Sequence, residues 1–158
     1  MNFTPKKTSV TLFALIIFCF FLPFVTVSCQ NQPIVTFSGL ELATGKTIQT
    51  PTMFGESKPE QVPGEPVAAL AFIIACAGLT TSLVSQRKTI IPSFMGGFGT
   101  ILLLFIKSSL DKSVLKEGQN MLQTDYKIGF WLSLLLFLAT TIYNGYIFFQ
   151  QRTNKLLK

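Results

Sequence analysis

The stretch PVAALAFIIACAGLTTSLVSQRKTIIPSFMGGFGTILLLFI, residues 66–106, decides the fold of this chain. It contains two runs without a charged residue, 67–85 and 89–106, which are separated by Gln86-Arg87-Lys88. Each run has about the length that a helix needs to cross a hydrocarbon core of about 30 Å. A basic turn between two such helices is typical of the cytoplasmic side of a membrane. The sequence therefore predicts a transmembrane helical hairpin whose turn faces the cytoplasm.

The composition of the chain also indicates a membrane protein. Of its 158 residues, 49% are hydrophobic and 13% are charged, whereas soluble domains carry about 25% charged residues. The net charge of +6 comes from small Lys and Arg clusters beside apolar runs, which is the pattern of topology signals. We therefore expect the lipid bilayer, and not nucleic acid, to be the partner of these charges.

Charge placement extends the hairpin to a model with four spans. The predicted transmembrane helices are 10–27, 67–85, 89–106 and 128–149, the outer loops are 28–65 and 107–127, and the tail is 150–158. The inner segments carry seven basic residues and no acid, while all seven acids fall in the outer segments. This asymmetry obeys the positive-inside rule. The predicted fold is a single all-α membrane domain (1–158), an antiparallel bundle of four transmembrane helices with both termini in the cytoplasm.

The N-terminal run has a second interpretation. A positively charged start followed by an apolar run also describes a signal peptide, and cleavage before Cys29 would give a lipoprotein. The run is longer than a signal-peptide core, and Thr26 stands where such a lipoprotein signal normally has Leu. We therefore favour a retained helix with Pro23 in its last turns. Cys29 would then be a free thiol, carry lipid or form a disulfide with another chain.

The first outer loop contains a part with local order. Ser38-Gly39-Leu40-Glu41 matches a capping box for one helical turn that Gly45 would end, and a hairpin turning at Ser38-Gly39 is the alternative. The Pro- and Gly-rich segment 49–65 indicates an extended linker or a segment whose structure depends on a partner. The ordered part carries five apolar residues that are candidates for partner binding: Ile34, Val35, Phe37, Leu40 and Leu42. Packing on the chain's own helices is the alternative role for them.

The second outer loop has two local signals. An apolar stripe at Leu110, Val114 and Leu115 predicts that the third span extends above the membrane until Gly118 breaks the helix. Asp125 is predicted to be the N-cap of the last span.

Small residues recur on one face of each central helix. They are Ala71, Ala75, Gly78 and Ser82 on the second span, and Ser93, Gly96, Gly97 and Thr100 on the third. Small side chains let two helix backbones approach closely in lipid. We predict that these two faces form the tightest helix–helix contact.

The sequence offers little for chemistry. It has no histidine, and no Asp, Glu, Lys or Arg falls within the four predicted spans, although ionisable groups at membrane depth are the usual sign of ion paths or catalysis. Three cysteines are too few for an iron–sulfur cluster. We therefore predict no catalytic residue, no cofactor and no metal site. Asn144, the most polar side chain in a span, is expected to make an interhelical hydrogen bond.

Two comparisons with known families bear on this layout. The order of loops and spans is that of claudins, but the first loop lacks the Trp and the second Cys of the claudin signature. The stretches LPFVTVSC (22–29), FSGLELATG (37–45) and YKIGFW (126–131) resemble small four-pass bacterial membrane proteins of unassigned function. That resemblance implies a bacterial inner-membrane location and no particular activity.

The sequence predicts a non-catalytic protein that acts by binding. The leading hypothesis is an accessory or scaffolding subunit of a larger membrane complex, with other membrane proteins as its partners. The alternative is a small channel or transporter formed by oligomerisation.

Overall fold

The computed structural model describes residues 5–29, 32–51, 57–84, 90–117 and 122–156. The basic turn at 86–88 and Gly118 lie outside the described residues. The elements in chain order are α1 (Pro5–Cys19), β1 (Pro23–Cys29), β2 (Gln32–Ser38), α2 (Gly39–Thr44), β3 (Lys46–Pro51), β4 (Ser57–Val62), α3 (Pro66–Val84), α4 (Ile90–Glu117), β5 (Leu122–Tyr126) and α5 (Ile128–Leu156).

The described part of the chain is mostly helical and contains three helices long and apolar enough to cross a membrane. Their apolar lengths are Pro66–Val84, Ile91–Asp111 and Ile128–Thr153. The apolar part of α1, Lys7–Cys19, is shorter. These lengths agree with a membrane protein. The extension of the third span is confirmed, because α4 continues to Glu117.

The four long helices enclose a core of aromatic side chains. Helix α1 packs against α3 and α5, and α4 packs against the same two helices. Phe13 of α1, Phe20 just after α1, and Phe130 and Phe137 of α5 are fully buried between the helices. Large apolar side chains also cover the outside, among them Phe18, Leu70, Phe98 and Leu135. Helices that are apolar on every side are typical of a lipid environment.

The prediction of an all-α fold is confirmed in part: the described residues are mostly helical, but they also form two antiparallel sheets. One has the strand order β2-β1-β5, and the other consists of β3 and β4. The predicted first span, 10–27, is also not one helix: α1 ends at Cys19 and Pro23 begins β1. Proline lacks a backbone N–H and disfavours helical geometry in the residue before it. Val25, Thr26 and Val27 then favour a strand because they are β-branched.

Two smaller predictions also differ from the structure. The segment predicted as a linker contributes to the β3–β4 hairpin, in which Gln49 pairs with Pro59. Asp125 lies in β5 opposite Thr26 of β1 and is not the N-cap of α5, which begins at Ile128.

Candidate functional site

The strands and α2 together form one structure, the cap, at one end of the long helices. Its members are β1–β5 and α2, and three backbone hydrogen bonds tie it to the helix ends. Leu40 N donates to Phe20 O just after α1 (2.9 Å), and Glu65 N, just before α3, donates to Leu42 O (2.7 Å). Lys127 N, just before α5, donates to Phe24 O (2.8 Å). The cap is therefore anchored to three of the four long helices.

Helix α2 is built from the local signals that the sequence contains. Ser38 Oγ accepts a hydrogen bond from Glu41 N (3.2 Å), while Ser38 N donates to Glu41 Oε2 (2.9 Å). This reciprocal pair is the predicted capping box, which satisfies two backbone donors at the helix start. Gly45 ends the helix at φ 87°, and its N–H donates to Glu41 O. Both predictions are confirmed, and the alternative hairpin at Ser38-Gly39 does not form.

Lys46 connects α2 to strand β2. Its Nζ lies 2.8 Å from Glu41 Oε1 and donates to the backbone carbonyl of Thr36 at 3.3 Å. The hydrogen bond from Lys46, followed by that from the Ser38 backbone, lowers the pKa of Glu41 below its ordinary value. Thr36 Oγ1 is 2.9 Å from Thr26 Oγ1 on the neighbouring strand. The contacts of Lys46 tie β2 to α2, and the pair of threonines ties β2 to β1.

The five candidate partner-binding residues separate into buried and accessible positions. Phe37 and Leu42 belong to the hydrophobic core that continues into the long helices. Val35 and Leu40 are half-buried, and Ile34 is 58% exposed. The structure therefore places two of the five against the chain's own helices and leaves Ile34 as the accessible member.

Tyr126 makes a second anchor that the sequence analysis did not find. Its Oη lies 2.7 Å from Asp111 Oδ1 and 3.1 Å from Lys107 O, so β5 is bound to the extended end of α4. Lys107 Nζ lies over the rings of Tyr126 and Trp131, 5.6 Å and 5.3 Å from their centroids. Burial and the bond to Asp111 raise the pKa of Tyr126. In the sequence, Tyr126 and Trp131 appear only as part of the stretch YKIGFW (126–131).

The small-residue faces pack, but against other helices than predicted. On α3, Ala71, Ala75, Gly78 and Ser82 are all buried. A Cβ on Gly78 would meet the ring of Phe13 on α1. A Cβ on Gly96 of α4 would lie 2.7 Å from Thr141 Oγ1 and 3.1 Å from Phe137 O, both on α5. The closest approaches at these glycines are thus between α3 and α1 and between α4 and α5.

Asn144 makes the expected interhelical hydrogen bond. Ser9 Oγ of α1 donates to its Oδ1 at 2.6 Å, and Asn144 Nδ2 donates to Thr140 O at 2.9 Å within α5. Ser9 and Asn144 are both buried. We call this pair, together with the buried Ser82 of α3, the distal polar layer, because it lies at the end of the helices away from the cap.

The cap contains one open cavity of about 310 Å³, between the turn Thr44–Thr47 and the segment Gln61–Pro63. Its one charged side chain, Lys46, is already paired with Glu41. Within the described residues, no group of three or more His, Cys, Asp or Glu side chains could hold a metal ion.

Comparison with known proteins gives no relative: no family model matches the chain, and no curated protein or solved structure is detectably similar to it.

Proposed function

We propose that this protein is a four-span bacterial inner-membrane protein that acts by binding, as a non-catalytic accessory or scaffolding subunit of a larger membrane complex. The observation that carries the proposal is the cap. It is anchored to three helices, yet its strand β2 pairs with β1 alone among the described strands. A firmly held cap in which β2 is an edge strand suits a protein that presents a binding surface.

The surroundings of α1 support a fourth span. Its inward face, from Ser9 to Phe20, is buried against α3 and α5. Its outward face exposes Leu15 and Phe18, and Phe21 follows just after the helix. Water would make this exposure unfavourable at about 25 cal/mol per Å² of apolar surface. We therefore propose that α1 lies in the bilayer beside the other three helices, with both chain ends in the cytoplasm and the cap outside.

Strand β2 is the surface that we assign to the partner. Residues Gln32, Pro33, Ile34 and Thr36 are exposed. An accessible strand edge can accept an extended segment of another protein by backbone pairing, with pockets for alternate side chains. The exposed Ile34 would supply apolar contact beside that pairing. The proposed partner is an outer segment of another membrane protein.

The alternative of a channel between copies of the chain has less support. A water-filled path needs polar side chains on the surfaces that meet. The outward faces of the described long helices carry apolar residues instead, such as Phe94, Ile101, Leu135 and Ile142. Among the described residues, phenylalanine rings fill the centre of the helices, which argues against a path through a single chain.

The proposal is tested by purifying the protein from its native membrane in mild detergent and measuring the mass and subunits of the assembly. We expect a stoichiometric complex with another membrane protein. Ile34→Glu should release that partner while the chain stays folded, because Ile34 lies on the surface. The matched control Thr47→Glu, at another exposed cap position, should keep the partner bound.

Two outcomes would contradict the proposal. A symmetric assembly of this chain alone would favour the channel hypothesis. A heteromeric complex that survives Ile34→Glu unchanged would show that β2 is not the binding surface.

A further inference from the structure

Ser82 differs from three other buried hydroxyl residues of the long helices and shares with Thr8 of α1 a buried hydroxyl oxygen that has no partner among the described residues. Thr100, Ser133 and Thr140 each donate to the carbonyl four residues earlier in the same helix, at 2.7–3.0 Å. Ser82 is 4% exposed, and its Oγ has no hydrogen-bond partner within the described part of the chain. Burying a hydroxyl without a hydrogen-bond partner is unfavourable, so this group calls for an explanation.

The structure shows why Ser82 does not follow the same pattern. The carbonyl four residues before it belongs to Gly78. Thr81 Oγ1 already donates to that carbonyl at 3.0 Å, and the carbonyl also lies in the backbone ladder of α3. Because a carbonyl oxygen has two lone pairs, it has no remaining acceptor site for Ser82.

The other two members of the distal polar layer, Ser9 and Asn144, lie at the level of Ser82. Helix α1 ends at the cap and α3 begins there, so the two helices run antiparallel. The Phe13 ring of α1 meets Gly78 of α3. Ser9 lies one helical turn from Phe13, and Ser82 one turn from Gly78, both in the direction away from the cap. Ser9 and Ser82 are therefore at the same level, and Ser9 bonds to Asn144 there.

This level carries small side chains and polar groups that can form further hydrogen bonds. Two serines occupy less volume than the Phe13–Gly78 pair one turn away, across the same gap between helices. Ser9 Oγ can still accept a hydrogen bond, and Asn144 Nδ2 has a second N–H besides the one directed at Thr140 O. None of the three side chains is charged, so the site suits a neutral ligand.

We propose that the distal polar layer binds one water molecule, which bridges Ser82 Oγ to Ser9 Oγ and Asn144 Nδ2. Buried waters typically make about three hydrogen bonds to polar groups that otherwise have no partner, and this site offers three. The water accepts hydrogen bonds from the Asn144 Nδ2–H and Ser82 Oγ–H groups and donates one to Ser9 Oγ. It links α1, α3 and α5 at the end opposite the cap.

The test combines a double-mutant cycle with a direct observation of the water. Ser9→Ala and Ser82→Ala, alone and together, are compared by reversible unfolding in detergent. Because one water would serve both hydroxyls, we expect their effects on the unfolding equilibrium to be coupled by about threefold or more. A high-resolution crystal structure in lipid should show a density peak within about 3.2 Å of Ser82 Oγ and Ser9 Oγ.

Two neighbouring threonines provide matched variants. Thr81→Val frees the Gly78 carbonyl, so Ser82 should rotate to donate to it and the coupling with Ser9 should disappear. Thr80→Val removes an exposed hydroxyl that donates to Ala77 O, and the coupling should remain. Additive effects of Ser9→Ala and Ser82→Ala, or a crystal structure in which Ser82 Oγ bonds directly to protein, would overturn the proposal.

Discussion

At the scale of single residues, phenylalanine rings of this protein sit against glycines. A Cβ on Gly78 would strike the ring of Phe13, and one on Gly99 would strike Phe137. Gly39 at the start of α2 is similar, since its Cβ would lie 2.9 Å from Phe20 Cδ1. Some of the sixteen phenylalanine rings therefore fit into the helix packing because the residue facing them is a glycine.

This pairing predicts a strong effect of Gly78→Leu. The new side chain must displace the fully buried Phe13, and overpacking typically costs about 1–3 kcal/mol. We expect a lower free energy of unfolding in detergent. In the control Gly97→Ala, the added Cβ would be 3.7 Å from Thr141 Cγ2, an ordinary contact, so stability should hold or rise slightly. Equal stability of Gly78→Leu and wild type would show that α1 does not pack there.

Tyr126 predicts a sensitivity to alkaline pH. Burial and the bond to Asp111 raise its pKa above the ordinary value of about 10. The stabilising contact is therefore complete below about pH 10, where the phenol is protonated in both states, and is lost as the pH rises further. Tyr126→Phe should cost about 1 kcal/mol at neutral pH and should reduce this alkaline loss.

Unfolding of wild type and Tyr126→Phe at pH 8 and pH 11 checks this expectation. Tyr146→Phe, which alters an exposed tyrosine, serves as the control and should behave as wild type. A Tyr126→Phe protein that loses stability with pH as steeply as wild type would contradict the assignment.

At the scale of elements, helices and strands could be predicted where the residues that determine them are close in sequence. Helix α2 was predictable because Ser38, Glu41 and Gly45 act within one helical turn. Strand β1 was not predictable, because the run 10–27 carries no charge throughout. One of its pairing strands, β5, also lies far away in the sequence. Pro23 was the local signal that the helix ends. We placed it in the last turns of the helix, but in the structure it begins β1.

The same distinction applies to the packing of helices. The pattern of small residues on α3 predicted a buried face, and the face is buried. The pattern could not say which helix covers it, because several apolar helices offer compatible surfaces. The ring of Phe13 decides the neighbour, and its fit to Gly78 depends on the three-dimensional register of α1 and α3.

For α2, the lowered pKa of Glu41 predicts a loss of stability in acid. A carboxylate whose pKa is lower in the folded state stabilises it above the unfolded pKa of about 4.3, and that contribution is lost as the pH falls through the folded pKa. Glu41→Gln should therefore destabilise the cap at pH 7 and have less effect in acid. The effect will be small because the ion pair with Lys46 is partly exposed.

Amide hydrogen exchange at Gly45, whose N–H bonds to Glu41 O, measures this local effect. Lys46→Met should also speed exchange at pH 7, since it removes the main partner of Glu41. Equal exchange in wild type and both variants at pH 7 would show that the pair does not hold α2 in place.

At the scale of the whole molecule, the structure combines long apolar helices with a cap at one end. The membrane character could be predicted from the composition and from the length of the uncharged runs, because both can be counted without knowing how the chain folds. It did not predict that the first apolar run is shared between a helix and a strand, so that α1 is the shortest of the four. Function was harder still, because a binding surface consists of residues that remain exposed after folding, and folding buries two of the five candidate residues, Phe37 and Leu42.

The central claim is that α1 crosses the membrane, so that both chain ends lie on the side opposite the cap. Single cysteines at Lys7, Thr47 and Thr153, placed in a chain whose native cysteines are replaced by serine, test it by labelling intact cells with a membrane-impermeant maleimide. We predict that Thr47→Cys in the cap is labelled, and that Lys7→Cys and Thr153→Cys are labelled only after the membrane is opened. Labelling of Lys7→Cys in intact cells, with Thr153→Cys protected, would mean three spans and would contradict the account.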